Sequence, residues 1–231
     1  MKVLRGIGEV REFVSGRSIR SLESVPEEVS RRIHDIFGRQ MTPAEVVSHI
    51  LSEVRSKGDS AIRDLTHRID GLELESLEVD KASFRQAVKE VPRELRDAFD
   101  LATRRINEFA RASLPKTWHD KDTGLGEMVV PMDRVGVYAP GGTAVYPSTI
   151  LMAVGVARAV GVKEIILCTP LRDDARPNSV ILAAAQIAGV DRVFRIGGAQ
   201  AIAAMAYGTE SIPPVDKVCG PGNVFVTLAK Q

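Results

Sequence analysis

Cysteine is nearly missing: Cys168 and Cys219 are the only two in 231 residues. Neither has a CxxC partner, so the chain offers no disulfide framework and no thiolate zinc site. An excess of one charge is missing as well, since 31 Lys and Arg against 30 Asp and Glu give a formal net charge of +1. That balance excludes a general pull toward nucleic acid or anionic membrane, and any anion site must be local. No stretch reaches the ~18 apolar residues of a membrane span. The start, MKVLRGIGEVREF, carries charges where a signal peptide needs an apolar core, so the expected location is cytoplasmic. His34, His49, His67 and His119 show no H-x-x-x-H or comparable ligand spacing and read as helix-surface or junction residues. No turn spells GxGxxG, which removes the ordinary dinucleotide fingerprint but leaves a nucleotide domain of another lineage open.

What is present is the composition of a globular protein with a well-filled core, 44% hydrophobic and 26% charged. The first half reads as helical. Thr42-Pro43-Ala44-Glu45 forms a capping box, and Val46, Val47, Ile50, Leu51 and Val54 continue one apolar face to Gly58. Asp59 is the expected cap of a second helix that ends at Asp70-Gly71. Leu74, Leu77 and Val79 suggest a short extended piece, and Asp80 an N-cap for residues 81–91. After Pro92, a stripe of Leu95, Ala98, Phe99, Ala102, Ile106 and Phe109 predicts one long half-buried helix. The pairs Arg31-Arg32 and Arg104-Arg105 read as solvated helix faces. Between Ser113 and Asp133 periodicity gives way to Pro, Gly, Asp and Lys, which places a domain junction there, with a mainly helical region 1–130 and a second domain 131–231.

Beyond the junction, strands and helices alternate: strands at 135–138, 164–169, 193–196 and 215–218, and helices at 148–160, 178–188, 199–206 and 224–230. This predicts right-handed crossovers and a parallel, doubly wound Rossmann-like α/β sheet covered on both faces. Three glycine turns, Pro140-Gly141-Gly142, Gly197-Gly198 and Gly220-Pro221-Gly222, fall at the carboxyl ends of three strands, where open α/β sheets bind ligands. The first joins a strand to a helix N-terminus and can present main-chain N–H groups to an anion. Gln200 and Asn223 follow the second and third turns. Each amide can donate to and accept from a carbonyl, a ribose hydroxyl or a carboxamide, or simply cap its helix. Tyr138, where the first strand meets its loop, is either a packing tyrosine with a wet hydroxyl or the edge of a cofactor site. Cys219 could be a thiolate beside a helix N-terminus, but no local base supports it, and a small buried hydrophobe is the simpler reading.

The runs RVGVYAPGGTAVYPSTILM and VFRIGGAQAIAAMAYGTESIPPVDKVCGPGNVFVTLAK closely resemble histidinol dehydrogenases, with a weaker match through RSKGDSAIRDLTHRIDG. The resemblance implies an aldehyde-dehydrogenase-like Rossmann fold, NAD as cofactor, and oxidation of L-histidinol to L-histidine in two NAD-dependent steps within histidine biosynthesis. It places the NAD contacts on Tyr138 of the VGVY-PGG motif, Gln200 of GGAQ and Asn223 of GPGN. It also implies a cytoplasmic homodimer with zinc. The family's zinc ligands, its glutamate-histidine proton-transfer pair and its acidic signature segment follow the GPGN helix, so they are expected beyond Gln231. The chain is therefore expected to be the cofactor-binding N-terminal part, inactive alone and without catalytic or metal residues of its own. Two other readings stand beside it: a non-catalytic nucleotide- or anion-binding module derived from that family, and an aldehyde dehydrogenase relative using Cys219.

Overall fold

A computed structural model describes residues 5–15, 25–141, 145–171 and 176–231. Its first half is helical: α1 (Gly6–Ser15), α2 (Glu27–Phe37), α3 (Pro43–Lys57), α4 (Asp59–Asp70), α5 (Lys81–Glu90) and α6 (Arg93–Ala112). The capping box opens α3 as expected. The Thr42 hydroxyl accepts from the Glu45 amide at 3.3 Å, and the Glu45 carboxylate accepts from the Thr42 amide at 2.7 Å. Other local expectations change. Gly58 is the N-cap of α4, and Asp59 is its first helical residue. Asp80 holds the cap position of α5 without a side-chain bond. Of the predicted α6 stripe, Phe99 is buried but Ala98 and Phe109 are exposed, and Ala110, one residue past Phe109, is buried instead.

The junction holds a small antiparallel ladder, β1 (Trp118–His119) with β2 (Gly126–Glu127). Turn chemistry makes it: the Asp120 carboxylate accepts from the Asp122 amide at 2.9 Å and the Thr123 hydroxyl at 2.7 Å.

Then β3 (Arg134–Tyr138), α7 (Pro147–Ala159), β4 (Glu164–Cys168), α8 (Ser179–Ala188), β5 (Arg192–Phe194), α9 (Gly198–Tyr207), β6 (Lys217–Cys219) and α10 (Val224–Ala229) alternate, matching the expected pattern closely. The four strands are parallel in the order β5-β4-β3-β6. The chain builds outward from β3 through β4 to β5 and then returns to β3's other side, so the topology switches between β3 and β6.

Period-two alternation divides the sheet's side chains between two cores. Val135, Val137, Ile165, Leu167 and Val193 join Phe84, Phe99, Ile150, Val154 and Ile181 on one face. Tyr138, Ile166, Cys168 and Phe194 join Ile33, Val47, Ile62, Leu65, Ile202 and Met205 on the other. Helices from the first half thus contribute to both layers. The piece at 77–79 runs antiparallel beside β5, with the Val79 amide donating to the Val193 carbonyl at 2.8 Å and the Arg195 amide to the Leu77 carbonyl at 2.9 Å.

Candidate functional site

The sheet's switch point opens onto a cavity of about 880 Å³, within the size range of small-molecule and cofactor sites. One wall is the carboxyl rim of the sheet: Tyr138 at the end of β3 with Pro140 and Gly141 beyond it, Gly197 to Gln200 after β5, and Pro221 to Asn223 after β6. The opposite wall is apolar and belongs to the first half: Val29, Ile33 and Phe37 of α2, Ile50 of α3 and Ile69 of α4. Val29, Ile33, Ile36 and Phe37 share one face of α2 by their spacing, the signal that could have marked this helix from sequence.

All three rim residues singled out by sequence line this one cavity. Tyr138 is 5% exposed, and its hydroxyl oxygen accepts from the Gly198 amide at 3.2 Å. Burial pushes the phenol above its ordinary value, against the pull of the Gly198 N–H. It remains protonated, and because its oxygen already accepts from Gly198, its own proton is free to donate. Asn223 does cap α10, its Oδ1 accepting from the Val226 amide at 3.1 Å, which leaves the NH₂ without that duty. Gln200 behaves differently. It sits in the first turn of α9 with 2% exposure and makes no side-chain hydrogen bond to any described residue. Its amide N and O are not sealed from solvent but open onto the cavity, where a ligand with a donor and an acceptor suits them.

The rim is tightly built. Gly220 has φ +116°, and a Cβ there would fall on the Tyr138 carbonyl oxygen, so the third turn presses directly against the end of β3. The first turn is described only as far as Gly141; Gly142 and the anion cradle it was expected to complete lie outside the described residues.

Two charged side chains border the site. Asp70, the last residue of α4, and Arg32 of α2 both line the cavity. Arg32 is more than a solvated helix residue: its guanidinium donates to the Ile69 carbonyl at 2.9 Å. Cys219 is half-buried, with its thiol 3.6 Å from the Gly136 carbonyl. Burial raises its pKa against the pull of Lys230 and Lys217, the wrong direction for a thiolate nucleophile. Cys168 is fully buried and raised further by the same cause. His34, His49 and His67 lie on α2, α3 and α4, and His119 lies in the hairpin. Among the described residues no group of three or more His, Cys, Asp or Glu side chains could hold a metal ion, and no helix is long and apolar enough to cross a membrane.

A family model described as histidinol dehydrogenase matches residues 38–231. A histidinol dehydrogenase of Dehalococcoides mccartyi (strain CBDB1) is 43% identical over 235 residues, covering 100% of this chain and 52% of its own length. That of Methanosarcina barkeri (strain Fusaro / DSM 804) is 50% identical over 192 residues, covering 81% and 44%. The crystal structure of histidinol dehydrogenase from Elizabethkingia anophelis superposes with a TM-score of 0.78 at 32% identity, covering 84% of this chain and 45% of that one. The chain spans about half the length of the curated relatives it matches. With its parallel sheet, its glycine-turn rim and a family-model match over residues 38–231, the chain belongs to the histidinol dehydrogenase family.

Proposed function

We propose that this chain forms the cofactor platform of a histidinol dehydrogenase, which oxidises L-histidinol through an aldehyde to L-histidine with NAD. The observation that carries this reading is Gln200, a largely buried side chain whose amide has no partner among the described residues and opens onto the cavity at the sheet's switch point. NAD, when bound, accepts a hydride in each of the two steps. The residues here would bind and orient it. Gln200 offers a donor and an acceptor, Asn223 a free NH₂, and Tyr138 a hydroxyl proton, a set suited to a carboxamide, ribose hydroxyls and phosphate oxygens.

None of the three is a proton acceptor strong enough for the oxidation. Amides are neutral, and burial holds the phenol protonated. General base and zinc therefore belong, in this reading, to the part of the longer family protein that this chain does not span. Residues 131–231 carry the cofactor contacts, while 1–130 supply the facing wall and the covering helices. A cytoplasmic homodimer acting on a small-molecule substrate completes the proposal.

Calorimetric titration of the purified chain with NADH, and a separate turnover assay with L-histidinol, NAD and zinc, test it. Saturable NADH binding without turnover is expected. Absence of NADH binding overturns the cofactor assignment, and turnover by the chain alone overturns the division of labour.

A further inference from the structure

Asp70 is an acid without a local explanation. As the last residue of α4 it sits at the negative end of that helix's dipole, where a carboxylate is disfavoured. Among the described residues it makes no salt bridge and its side chain accepts no hydrogen bond. It lines the cavity and keeps an exposed surface at its mouth. Desolvation raises its pKa, while the charge of Arg32 works in the opposite direction. Arg32 does not use up the carboxylate's lone pairs, because its guanidinium is turned to the Ile69 carbonyl at 2.9 Å. It moderates the local potential and leaves Asp70 open to a ligand.

The surroundings narrow the ligand. Val29, Ile33, Phe37 and Ile69 form an apolar wall against which a planar base can lie, with Asp70 at its edge. Asp70 and Tyr138 line the same cavity, so the acid and the rim serve one compartment. A carboxylate beside an apolar slot suits two neighbouring hydroxyls converging on its oxygens, and it opposes a phosphate in their place. Dinucleotide folds use an acid for this purpose, but ordinarily from the strand after the glycine motif. Here the acid would come from across the cavity, from the helical half of the chain.

We infer that Asp70 receives the ribose hydroxyls of the adenosine half of a bound dinucleotide and sets the preference against a 2′-phosphorylated one. The inference rests on the NAD reading above. In this arrangement the adenine lies along α2 and α4, and the nicotinamide end is left to Gln200, Asn223 and Tyr138.

The test is equilibrium binding of NADH, NADPH, ADP and nicotinamide mononucleotide to the full chain and to Asp70→Asn, Asp70→Glu and Gln200→Met. The wild type is expected to bind NADH better than NADPH. Asp70→Asn should weaken NADH and ADP about tenfold to a hundredfold, as for the loss of charge-assisted hydrogen bonds. It should also narrow the NADH/NADPH ratio and spare nicotinamide mononucleotide. Asp70→Glu should retain the discrimination against NADPH, and Gln200→Met should weaken NADH while sparing ADP. Unchanged ADP affinity in Asp70→Asn, with wild-type NADH binding intact, overturns the role of Asp70 alone. Equal losses for ADP and nicotinamide mononucleotide overturn the assignment to the adenosine ribose. No NADH binding by the wild type sinks both this inference and the reading beneath it. Thermal melting of Asp70→Asn serves as the folding control and is expected to equal or slightly exceed the wild type, because the side chain holds no other described residue and its charge opposes the α4 dipole.

Discussion

On one face of the sheet, α5 and α6 pack on α7 and α8 with little room left over. A Cβ on Gly155 of α7 would stand 2.6 Å from Ile106 Cγ2 of α6, so the two helices approach as closely as a glycine permits. On the other face, α3 and α4 meet α9 and α10, but α2 stands off from the rim and a cavity of about 880 Å³ remains. That second face is held at its far end by a polar clasp. Asp59, 6% exposed, accepts from Thr209 Oγ1 at 2.6 Å, from the Ser211 hydroxyl and from the Ser211 amide at 3.3 Å. In return, Glu210 accepts from the Asp59 amide at 2.7 Å. One sheet thus carries a face devoted to stability and a face fastened at one end and open at the other.

The comparison can be broken most severely on the closed face. Phe84, 2% exposed on α5, has no contact with the cavity, so Phe84→Ala is expected to cost about 3–5 kcal/mol in denaturant unfolding. NADH affinity of the folded fraction should not change, and a matching loss of affinity would show that the faces are not separable.

The clasp comes next. Asp59→Ala strands the Thr209 and Ser211 donors and should cost about 2–4 kcal/mol. Burial opposes ionisation of Asp59, but the bonds from Ser211 and Thr209 outweigh it and hold its pKa below the usual 3.8. A depressed folded value means that its contribution is full above about that pH and is lost as pH falls through the folded value. Unfolding free energies measured down the acid limb should therefore fall less steeply in Asp59→Ala than in the wild type.

Glu78→Gln is a smaller test. Arg192 holds Glu78 by two bonds of 2.8 and 2.7 Å and keeps its pKa low, but both side chains are partly exposed. A loss of about 1 kcal/mol or less is expected by denaturant unfolding. Gln200→Met should be the mildest for stability, within about 0.5 kcal/mol of the wild type, because the amide opens onto the cavity and holds no other described residue. Its effect belongs to the open face, as a loss of NADH affinity read by calorimetry.

The second half was readable because its strands are short apolar runs, three of the four closed by glycine turns, and each is followed by a helix. Those signals are local, and they brought Tyr138, Gln200 and Asn223 to one rim. The facing wall was harder. That α2 closes the cavity depends on where it docks, although the apolar spacing from Val29 to Phe37 was visible. Asp59 looked like a cap because it follows Gly58 and precedes an apolar helix, yet its hydroxyl partner Thr209 lies 150 positions away. Asp70 and Arg32 looked like a helix end and a solvated face, since nothing local distinguishes a surface charge from one lining a cavity. Phe109 was assigned to the α6 stripe by nominal spacing, and one residue of drift carried it outward.

The segment at 77–79 also governs how the sheet can misassemble. A bare outer strand would present a row of amide and carbonyl groups to any other sheet edge. Here β5 is sealed by main-chain bonds to Leu77 and Val79, and the Glu78–Arg192 pair fastens the seal across 114 positions of sequence. In the folded chain, therefore, a segment of the helical half occupies the hydrogen-bonding edge of β5 that another sheet edge would otherwise pair with.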